Sequence, residues 1–182
     1  WSSDVCSSDL IAVVLQLLPL GWLPRAALAN APAPECRGHE FSVATLNLLY
    51  VNRDPAAAVT WLRENPADVV LLQEVTPAWQ EALVGELPEY PHRFLHARED
   101  PYGIGVLSRT PLLRVRKADF AGDDLPSVVA VVEAGGRPVQ LVNLHTHWPL
   151  LPGLAASRDR GLQAAASTIR DEPLPTVLAG DL

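Results

Sequence analysis

The sequence predicts an α/β fold, and two patterns in residues 41–182 carry this prediction. Short apolar runs of strand length alternate with segments whose apolar residues recur at helical spacing. From about Pro91 to Leu144 no helical pattern occurs, and Gly135-Gly136 separates two apolar runs as a hairpin turn would. We therefore expect mixed sheets, with an antiparallel portion in that stretch.

Seven apolar runs have the length and composition of strands, and each is bounded by polar, Gly or Pro residues. They are Phe41–Leu46, Asp68–Leu72, Gly103–Leu107, Leu112–Val115, Ser127–Val132, Val139–Leu144 and Thr176–Ala179. About 140 residues, from roughly His39 onward, look globular, which is the length of one domain.

Three helices fit between these runs. The first begins at Asp54-Pro55 and the second at Thr76-Pro77, where threonine is a good N-cap and proline suits the first helical position. The apolar faces of the three helices, in order, are Ala58, Trp61 and Leu62; Trp79, Ala82 and Leu83; and Leu162, Ala165, Ala166 and Ile169.

The N-terminal residues precede the predicted domain and divide into three parts. Residues 1–10 (WSSDVCSSDL) resemble an in-frame translation of a common short-read sequencing adaptor, so we set them aside as an artefact rather than a native Ser/Asp-rich tail. Residues 11–29 are predicted to be part of a transmembrane helix or a signal segment. Residues 30–39 form a Pro/Ala-rich linker, and residues 40–182 form the N-terminal portion of one domain.

The apolar run Ile11–Leu23 is shorter than the about 20 residues that span a bilayer. We favour the end of a transmembrane helix with Arg25 at the interface over a cleaved signal peptide that ends near Ala27–Ala29. A buried helix of the domain is disfavoured by Pro19 and Pro24. The domain is thus expected to be membrane-anchored outside the cytoplasm, or secreted if the segment is cleaved.

The charge and the cysteines exclude several classes of protein. The formal net charge of −7 becomes −5 when Asp4 and Asp9 of the artefact are set aside. An acidic chain is a poor match to binding that neutralises many phosphates, but it suits an enzyme that meets one phosphate through a divalent cation. Cys6 lies in the artefact, and Cys36 alone supports neither a disulfide framework nor a zinc site.

Polar side chains capable of chemistry follow four of the predicted strands. Asn47, Glu74, His145 and Asp181 each stand at a strand end, so they can converge if these ends share one edge of the sheets. For Asn47 and Asp181 a turn residue is an equal alternative. For Glu74 we favour a metal ligand over a solvated surface carboxylate, because four apolar residues precede it within its strand.

Two histidines lie near the end of the sixth apolar run, at positions 145 and 147. We expect His145 and His147 to project to opposite sides of the strand end. At most one of them then faces the site, and the other is a surface or packing residue.

Five segments, taken in order, resemble the endonuclease/exonuclease/phosphatase superfamily, which includes pancreatic-type deoxyribonucleases, abasic-site endonucleases, neutral sphingomyelinases and inositol-polyphosphate phosphatases. They are TLN (45–47), VVLLQEV (69–75), YGIGVLSR (102–109), VNLH (142–145) and LAGDL (178–182). The runs NLLYVNRDP and QEVTPAW, behind an apolar N-terminus, look closest to the bacterial membrane-associated branch. The resemblance implies a four-layer α/β sandwich with mixed, largely antiparallel sheets, incomplete in this chain.

The resemblance also implies roles for the four strand-end residues. Asn47 and Glu74 belong to the site of a divalent cation, Mg²⁺ or Mn²⁺, with Glu74 the direct ligand. His145 contacts the scissile phosphate, and Asp181 orients or deprotonates the attacking water. Arg109, in the LSR segment, is expected to anchor structure rather than touch substrate.

The implied activity is hydrolysis of phosphodiesters or phosphomonoesters. Its substrate would be a nucleic acid, a phospholipid or a small phosphate ester; the membrane is a further partner, and no stable protein partner is implied. The family motif continues with Asn after Gly-Asp-Leu, and a later Asp–His pair completes the family's site; neither lies within these 182 residues. We therefore expect this stretch alone to be inactive. The alternative function is an inactive membrane-tethered module that binds phosphorylated ligands or partner proteins.

Overall fold

The computed structural model describes residues 41–182, which form eight strands and three helices. The predictions for residues 1–10, 11–29 and 30–39 lie outside the described residues. Within residues 41–182, no helix combines the length and apolar composition needed to cross a membrane. The elements are β1 (Val43–Asn47), α1 (Ala56–Glu64), β2 (Val69–Gln73), α2 (Pro77–Glu86), β3 (His92–His96), β4 (Ile104–Ser108), β5 (Leu112–Ala118), β6 (Ser127–Ala134), β7 (Arg137–His145), α3 (Pro152–Asp171) and β8 (Thr176–Asp181).

The chain builds one four-stranded sheet and then a second. Residues 43–108 form the first sheet in the order β1-β2-β4-β3, and residues 112–181 form the second in the order β5-β6-β7-β8. The pairs β1–β2 and β7–β8 are parallel, and the other neighbouring strands are antiparallel. The expected mixed, largely antiparallel sheets are therefore confirmed.

The two sheets pack face to face, and helices cover their outer faces. Alternate residues of a strand point to opposite faces, so Leu71 of β2 packs in the core between the sheets and Leu72 packs against the helices. Leu83 of α2 packs in the same hydrophobic cluster as Leu72. On the other side, Gly161 of α3 lines the same small cavity as Leu144 of β7. This layering confirms the four-layer sandwich.

The helix starts follow the sequence signals, and one helix face differs from the prediction. The Thr76 hydroxyl accepts a hydrogen bond from the backbone N–H of Trp79 at 3.3 Å, which caps α2 as predicted. In α1 the buried residues are Val59 and Leu62, whereas Trp61 is 37% exposed. Adjacent helical residues are about 100° apart, so Trp61 cannot share the face that Leu62 and Val59 present.

Strand bounds differ from the predicted ones by at most three residues, the largest difference being the extension of β5 from Val115 to Ala118. The sequence prediction missed β3 entirely. Its residues HRFLH are all partly exposed, and histidines occupy both ends, so no apolar run marks this edge strand. The hairpin at Gly135-Gly136 is confirmed, with φ values of 56° and 80° that favour glycine.

Candidate active site

Four strand ends meet at one edge of the sandwich. In the parallel pair β1–β2, Asn47 lies opposite Gln73, the residue before Glu74. In the parallel pair β7–β8, His145 lies opposite Asp181. A hydrogen bond from Asn47 to Asp181 then joins the two sheets at this edge. The structure thus brings together all four residues that the sequence placed at strand ends.

Asn47 lies between the two carboxylates of the site. Its Nδ2 donates to Glu74 Oε1 and to Asp181 Oδ2, each at 2.8 Å. Its Oδ1 accepts the backbone N–H of Leu49 at 2.9 Å, which turns the amide nitrogen toward the carboxylates. A donor between two carboxylates offsets their mutual repulsion, so this asparagine orients both acidic groups.

Glu74 occupies an unusual backbone conformation directly after β2. Its φ is 60°, a left-handed value that costs a non-glycine residue about 1–2 kcal/mol. The residue is 9% exposed, and its Oε2 accepts the backbone N–H of Tyr50 at 2.7 Å. With Asn47 on Oε1, each carboxylate oxygen has a donor. These contacts compensate the burial of a charged group and fix its direction.

Asp181 is held at the end of β8 by close packing against β7. A Cβ on Gly180 would lie 1.8 Å from the Leu144 carbonyl oxygen, so only glycine lets the two strands approach here. The φ of Gly180 is 141°. The Asp181 carbonyl accepts the backbone N–H of Thr146 at 3.0 Å, which extends the pairing past His145. The carboxylate is therefore positioned by backbone contacts on both sides.

His145 is the buried imidazole of the site, with only 5% of the residue exposed. Burial lowers the pKa of His145; the charges of Asp181 and Glu74 act in the opposite direction, and His147 adds to the lowering. The ring is therefore neutral at pH 7. Within residues 41–182, its Nδ1 is buried and has no hydrogen-bond partner, which is rare for a buried polar atom.

The expectation that His145 and His147 project to opposite sides is wrong. Tyr102 contacts both rings: its ring centroid lies 5.8 Å from that of His145 and 5.2 Å from that of His147. The physical reason is that residues i and i+2 of an extended chain share a face, whereas i and i+1 do not. His147 therefore lies beside the site rather than behind it.

A buried amide pair directly beneath the site joins the two sheets, and the sequence prediction missed it. Gln73 Nε2 donates to Asn143 Oδ1 at 2.6 Å. Asn143 Nδ2 in turn donates to the backbone carbonyls of Leu72 and Gly105, at 3.0 and 2.9 Å. Both amide side chains are buried. Gln73 is the last residue of β2 and Asn143 lies within β7, and only the polarity of each residue in an apolar strand could have drawn attention to it.

The donor set at this edge fits a hard divalent cation. Carboxylate oxygens of Glu74 and Asp181 lie on either side of Asn47, and oxygen donors are those that Mg²⁺ prefers. No cluster of three or more His, Cys, Asp or Glu side chains suited to a metal occurs in residues 41–182. Mg²⁺ in proteins keeps several waters and is commonly held by one or two carboxylates together with substrate phosphate.

Arg109 lies away from this edge, at the opposite end of the first sheet. It follows Ser108, which pairs with Val69 at the start of β2, whereas the site is at the end of β2. Its backbone N–H donates to the Asp68 carbonyl at 2.9 Å, and its side chain is exposed. Arg109 is therefore remote from the four strand-end residues, and its structural role stays a prediction.

Comparison with known proteins identifies relatives of this arrangement. Residues 44–182 match the family model described as Endonuclease/Exonuclease/phosphatase family. No curated protein matches the sequence significantly. D. rerio TDP2 humanized by 14 mutations is a similar solved structure, with a TM-score of 0.68 and 21% identity over 78% of this chain and 65% of that chain. D. rerio TDP2 complexed with single strand DNA product gives a TM-score of 0.64 and 20% identity over 77% of this chain and 58% of that chain. Sphingomyelinase C from Streptomyces griseocarneus gives a TM-score of 0.62 and 22% identity over 78% of this chain and 63% of that chain.

At these identities the likeness to the solved structures shows the fold. This chain spans less than two thirds of the length of each of the three proteins, with 65% the largest share.

Proposed function

The chain belongs to the endonuclease/exonuclease/phosphatase family, and on that premise we propose that it bears the site of a divalent-metal-dependent phosphoester hydrolase. One observation carries the proposal: Asn47 holds the carboxylates of Glu74 and Asp181 together at 2.8 Å each, beside a buried neutral imidazole. Structural roles alone give no reason to gather two carboxylates and an imidazole at one edge, because their repulsion and desolvation are unfavourable.

Glu74 would hold the cation, Mg²⁺ or Mn²⁺. When bound, the cation supplies a Lewis acid that polarises a phosphoryl oxygen and offsets developing negative charge. Asn47 and the backbone N–H of Tyr50 fix the direction of the Glu74 carboxylate, so this ligand is positioned before the cation arrives.

His145 would contact the scissile phosphate. Burial keeps its imidazole neutral at pH 7, so one ring nitrogen carries a proton and can donate it in a hydrogen bond to a phosphoryl oxygen. In a buried site such a hydrogen bond is stronger than in water, and it stabilises charge that increases in the transition state.

Asp181 would orient the attacking water and accept its proton. The water oxygen forms the new bond to phosphorus while the bond to the leaving oxygen breaks, and the proton released from the water passes to the carboxylate. The hydrogen bond from Asn47 occupies Oδ2. Oδ1 is then the oxygen that would meet the water.

The substrate class and the cellular location are part of this proposal. A single phosphoester in a nucleic acid, a phospholipid or a small molecule suits an acidic chain with a compact acidic site. The apolar run at residues 11–23 supports a membrane-anchored domain outside the cytoplasm, or a secreted one if the run is cleaved.

The test is cleavage of bis-p-nitrophenyl phosphate by the full-length protein, with and without Mg²⁺, beside a panel of DNA, phospholipid and phosphomonoester substrates. We expect metal-dependent cleavage that Glu74→Ala abolishes while the circular dichroism spectrum is unchanged. Glu81→Ala, on the exposed face of α2, is the matched control and should cleave like the parent. Metal-independent cleavage, or full activity in Glu74→Ala, would remove the metal-ligand assignment. Binding of phosphorylated ligands without any turnover would favour the inactive tethered module.

A further inference from the structure

Tyr102 contacts the two imidazoles at the edge of the site in different ways. Its hydroxyl is 2.8 Å from Nδ1 of His147, and the two rings meet edge to face at an interplanar angle of 87°. Its ring is tilted by 48° against that of His145. One phenol ring therefore sets the positions of two histidines, only one of which has a role in the hydrolysis described above.

Tyr102 itself is held by an ion-paired loop. Its backbone N–H donates to Asp100 Oδ1 at 3.0 Å, and the guanidinium of Arg98 contacts both oxygens of the same carboxylate. Arg98 also reaches Asp124 at 2.9 Å, which ties this loop to the one that precedes β6. Such a bidentate arginine–carboxylate pair fixes geometry as well as charge. The position of Tyr102 is thus specified by a polar network and not by apolar packing alone.

The neighbouring glycine ties Tyr102 to the residue that follows Glu74. A Cβ on Gly103 would lie 1.8 Å from the carbonyl oxygen of Val75, and the backbone N–H of Val75 donates to the Gly103 carbonyl at 3.1 Å. The segment carrying the tyrosine therefore keeps a fixed place relative to the proposed metal ligand.

The contact with Tyr102 engages one nitrogen of His147, Nδ1, and leaves Nε2 for another partner. Burial, with the charges of Asp100 and Glu74, raises the pKa of Tyr102, so its hydroxyl keeps its proton and is able to donate it to Nδ1. A neutral imidazole that accepts at Nδ1 carries its proton on Nε2. Nε2 lies on the far side of the ring from Nδ1, which meets the tyrosine, and His147 is half-buried with Asp123 as a charged neighbour.

We propose that His147, oriented by Tyr102, is a second phosphate-binding imidazole of this site and donates from Nε2 to a phosphoryl oxygen of the substrate. The inference rests on the proposed function, because it assumes that the phosphate lies beside His145. Two imidazoles, two positions apart on one extended segment, would then contact the same phosphoryl group. Tyr102 is a positioning residue, since it acts through the histidine.

The experiment measures binding of inorganic phosphate to the full-length protein, by competitive inhibition of bis-p-nitrophenyl phosphate cleavage and by titration followed with long-range ¹H–¹⁵N spectra of ¹⁵N-histidine-labelled protein. We expect His147 as the Nε2–H tautomer, with its Nε2 resonance moving on addition of phosphate. A hydrogen bond to a charged group corresponds to about a 10- to 100-fold effect. His147→Ala should weaken phosphate binding and raise KM in that range, with a smaller change in kcat.

Three further variants separate a binding role from a structural one. His147→Gln keeps a side-chain N–H and should recover part of the phosphate affinity. Tyr102→Phe should weaken binding less than His147→Ala and convert His147 to a mixture of tautomers. His92→Gln, at the opposite end of the first sheet, should match the parent protein. Unchanged phosphate affinity and KM in both His147 variants would overturn the proposal, as would a His147 that carries its proton on Nδ1.

The two proposals fail in different ways. Loss of activity in Glu74→Ala together with unaltered phosphate affinity in His147→Ala would support the proposed hydrolase and contradict only the phosphate-binding role of His147. Phosphate binding that depends on His147, in a protein that cleaves no substrate, would support the binding role of His147 and contradict the proposed hydrolase activity.

Discussion

Gln73 and Asn143 join the two sheets by a 2.6 Å hydrogen bond inside the core, directly beneath the site. Gln73 precedes Glu74, and Asn143 lies two residues before His145 on the same face of β7. Because Asn143 also donates to two backbone carbonyls of the first sheet, it fixes how one sheet sits over the other. The relative placement of Glu74 and His145 follows from this pair.

Replacing Asn143 by alanine should therefore destabilise the protein strongly. The change removes one acceptor of the buried Gln73 amide and the side-chain donor to the carbonyls of Leu72 and Gly105, and we expect the free energy of unfolding to fall by about 2–4 kcal/mol. Urea denaturation followed by circular dichroism measures this. Gln80→Ala, on the exposed side of α2, should change the value by less than about 0.5 kcal/mol. A loss no larger than that of the control would show that the amide pair does not support the fold.

Asn47→Asp should convert the carboxylate pair into a group of three acidic side chains. The variant replaces a donor to Glu74 and Asp181 by a third negative charge, so we expect the cation-free protein to lose about 1–3 kcal/mol of stability at pH 7. Protonation relieves the repulsion, and the difference from the parent should shrink as the pH falls toward 5. Denaturation in EDTA across this range is the measurement, with Asn52→Asp as an exposed control. A difference independent of pH would show that charge is not its cause.

His145 should make the stability of the protein depend on pH below about 6.5. Its pKa is lowered in the folded state, mainly by burial, relative to the ordinary value of 6.5. As the pH falls through 6.5, the unfolded chain binds a proton that the folded chain does not. The contribution to stability is therefore present above 6.5 and is lost as the pH falls, by at most about 1.4 kcal/mol per pH unit.

The measurement is the free energy of unfolding between pH 7.5 and 5.5, for the parent protein and for His145→Gln. The parent should lose more stability over this range than the variant, because glutamine does not titrate. Parallel curves for the two proteins would show that the imidazole is protonated equally in the folded and unfolded states.

Two glycines offer a paired test of the loop that carries Tyr102. Gly103→Ala places a methyl group 1.8 Å from the Val75 carbonyl oxygen, so backbone must move. We expect a loss of about 2–4 kcal/mol in stability, in the range of severe steric substitutions, together with weaker phosphate binding. Gly85→Ala, in α2 with open space around it, should stabilise by up to about 1 kcal/mol. Equal stabilities for the two variants, again from urea denaturation, would contradict the contact.

The four strand-end residues could be predicted from the sequence because a polar residue after a long apolar run is visible without knowing the fold. Whether the strand ends meet could not, because it depends on the parallel pairing of β1 with β2 and of β7 with β8. A side-chain hydrogen bond between the two sheets then joins Asn47 to Asp181, 134 positions away. Local patterns do not encode such distant contacts. The partly polar edge strand β3 was missed for a related reason, because it is a strand through its pairing with β4 and not through its own composition.

The prediction that His147 points away from His145 was wrong for a different reason, because the two-residue period of an extended chain already places residues i and i+2 on one face.

The buried amides of Asn143 and Gln73 could be predicted in part. Each is a polar residue at an inward position of an otherwise apolar strand, a signal that indicates a buried hydrogen bond but not its partner.

The division of the sheets along the chain makes the site an interface between two consecutive halves. Residues 43–108 contribute Asn47 and Glu74, and residues 112–181 contribute His145 and Asp181. A cut in the short connection between Ser108 and Leu112 would sever no strand of either sheet, yet it would separate the two carboxylates onto different polypeptides. The two halves must then dock for the acidic pair of Glu74 and Asp181 to form. Reconstitution of the site from two fragments would therefore measure that docking directly.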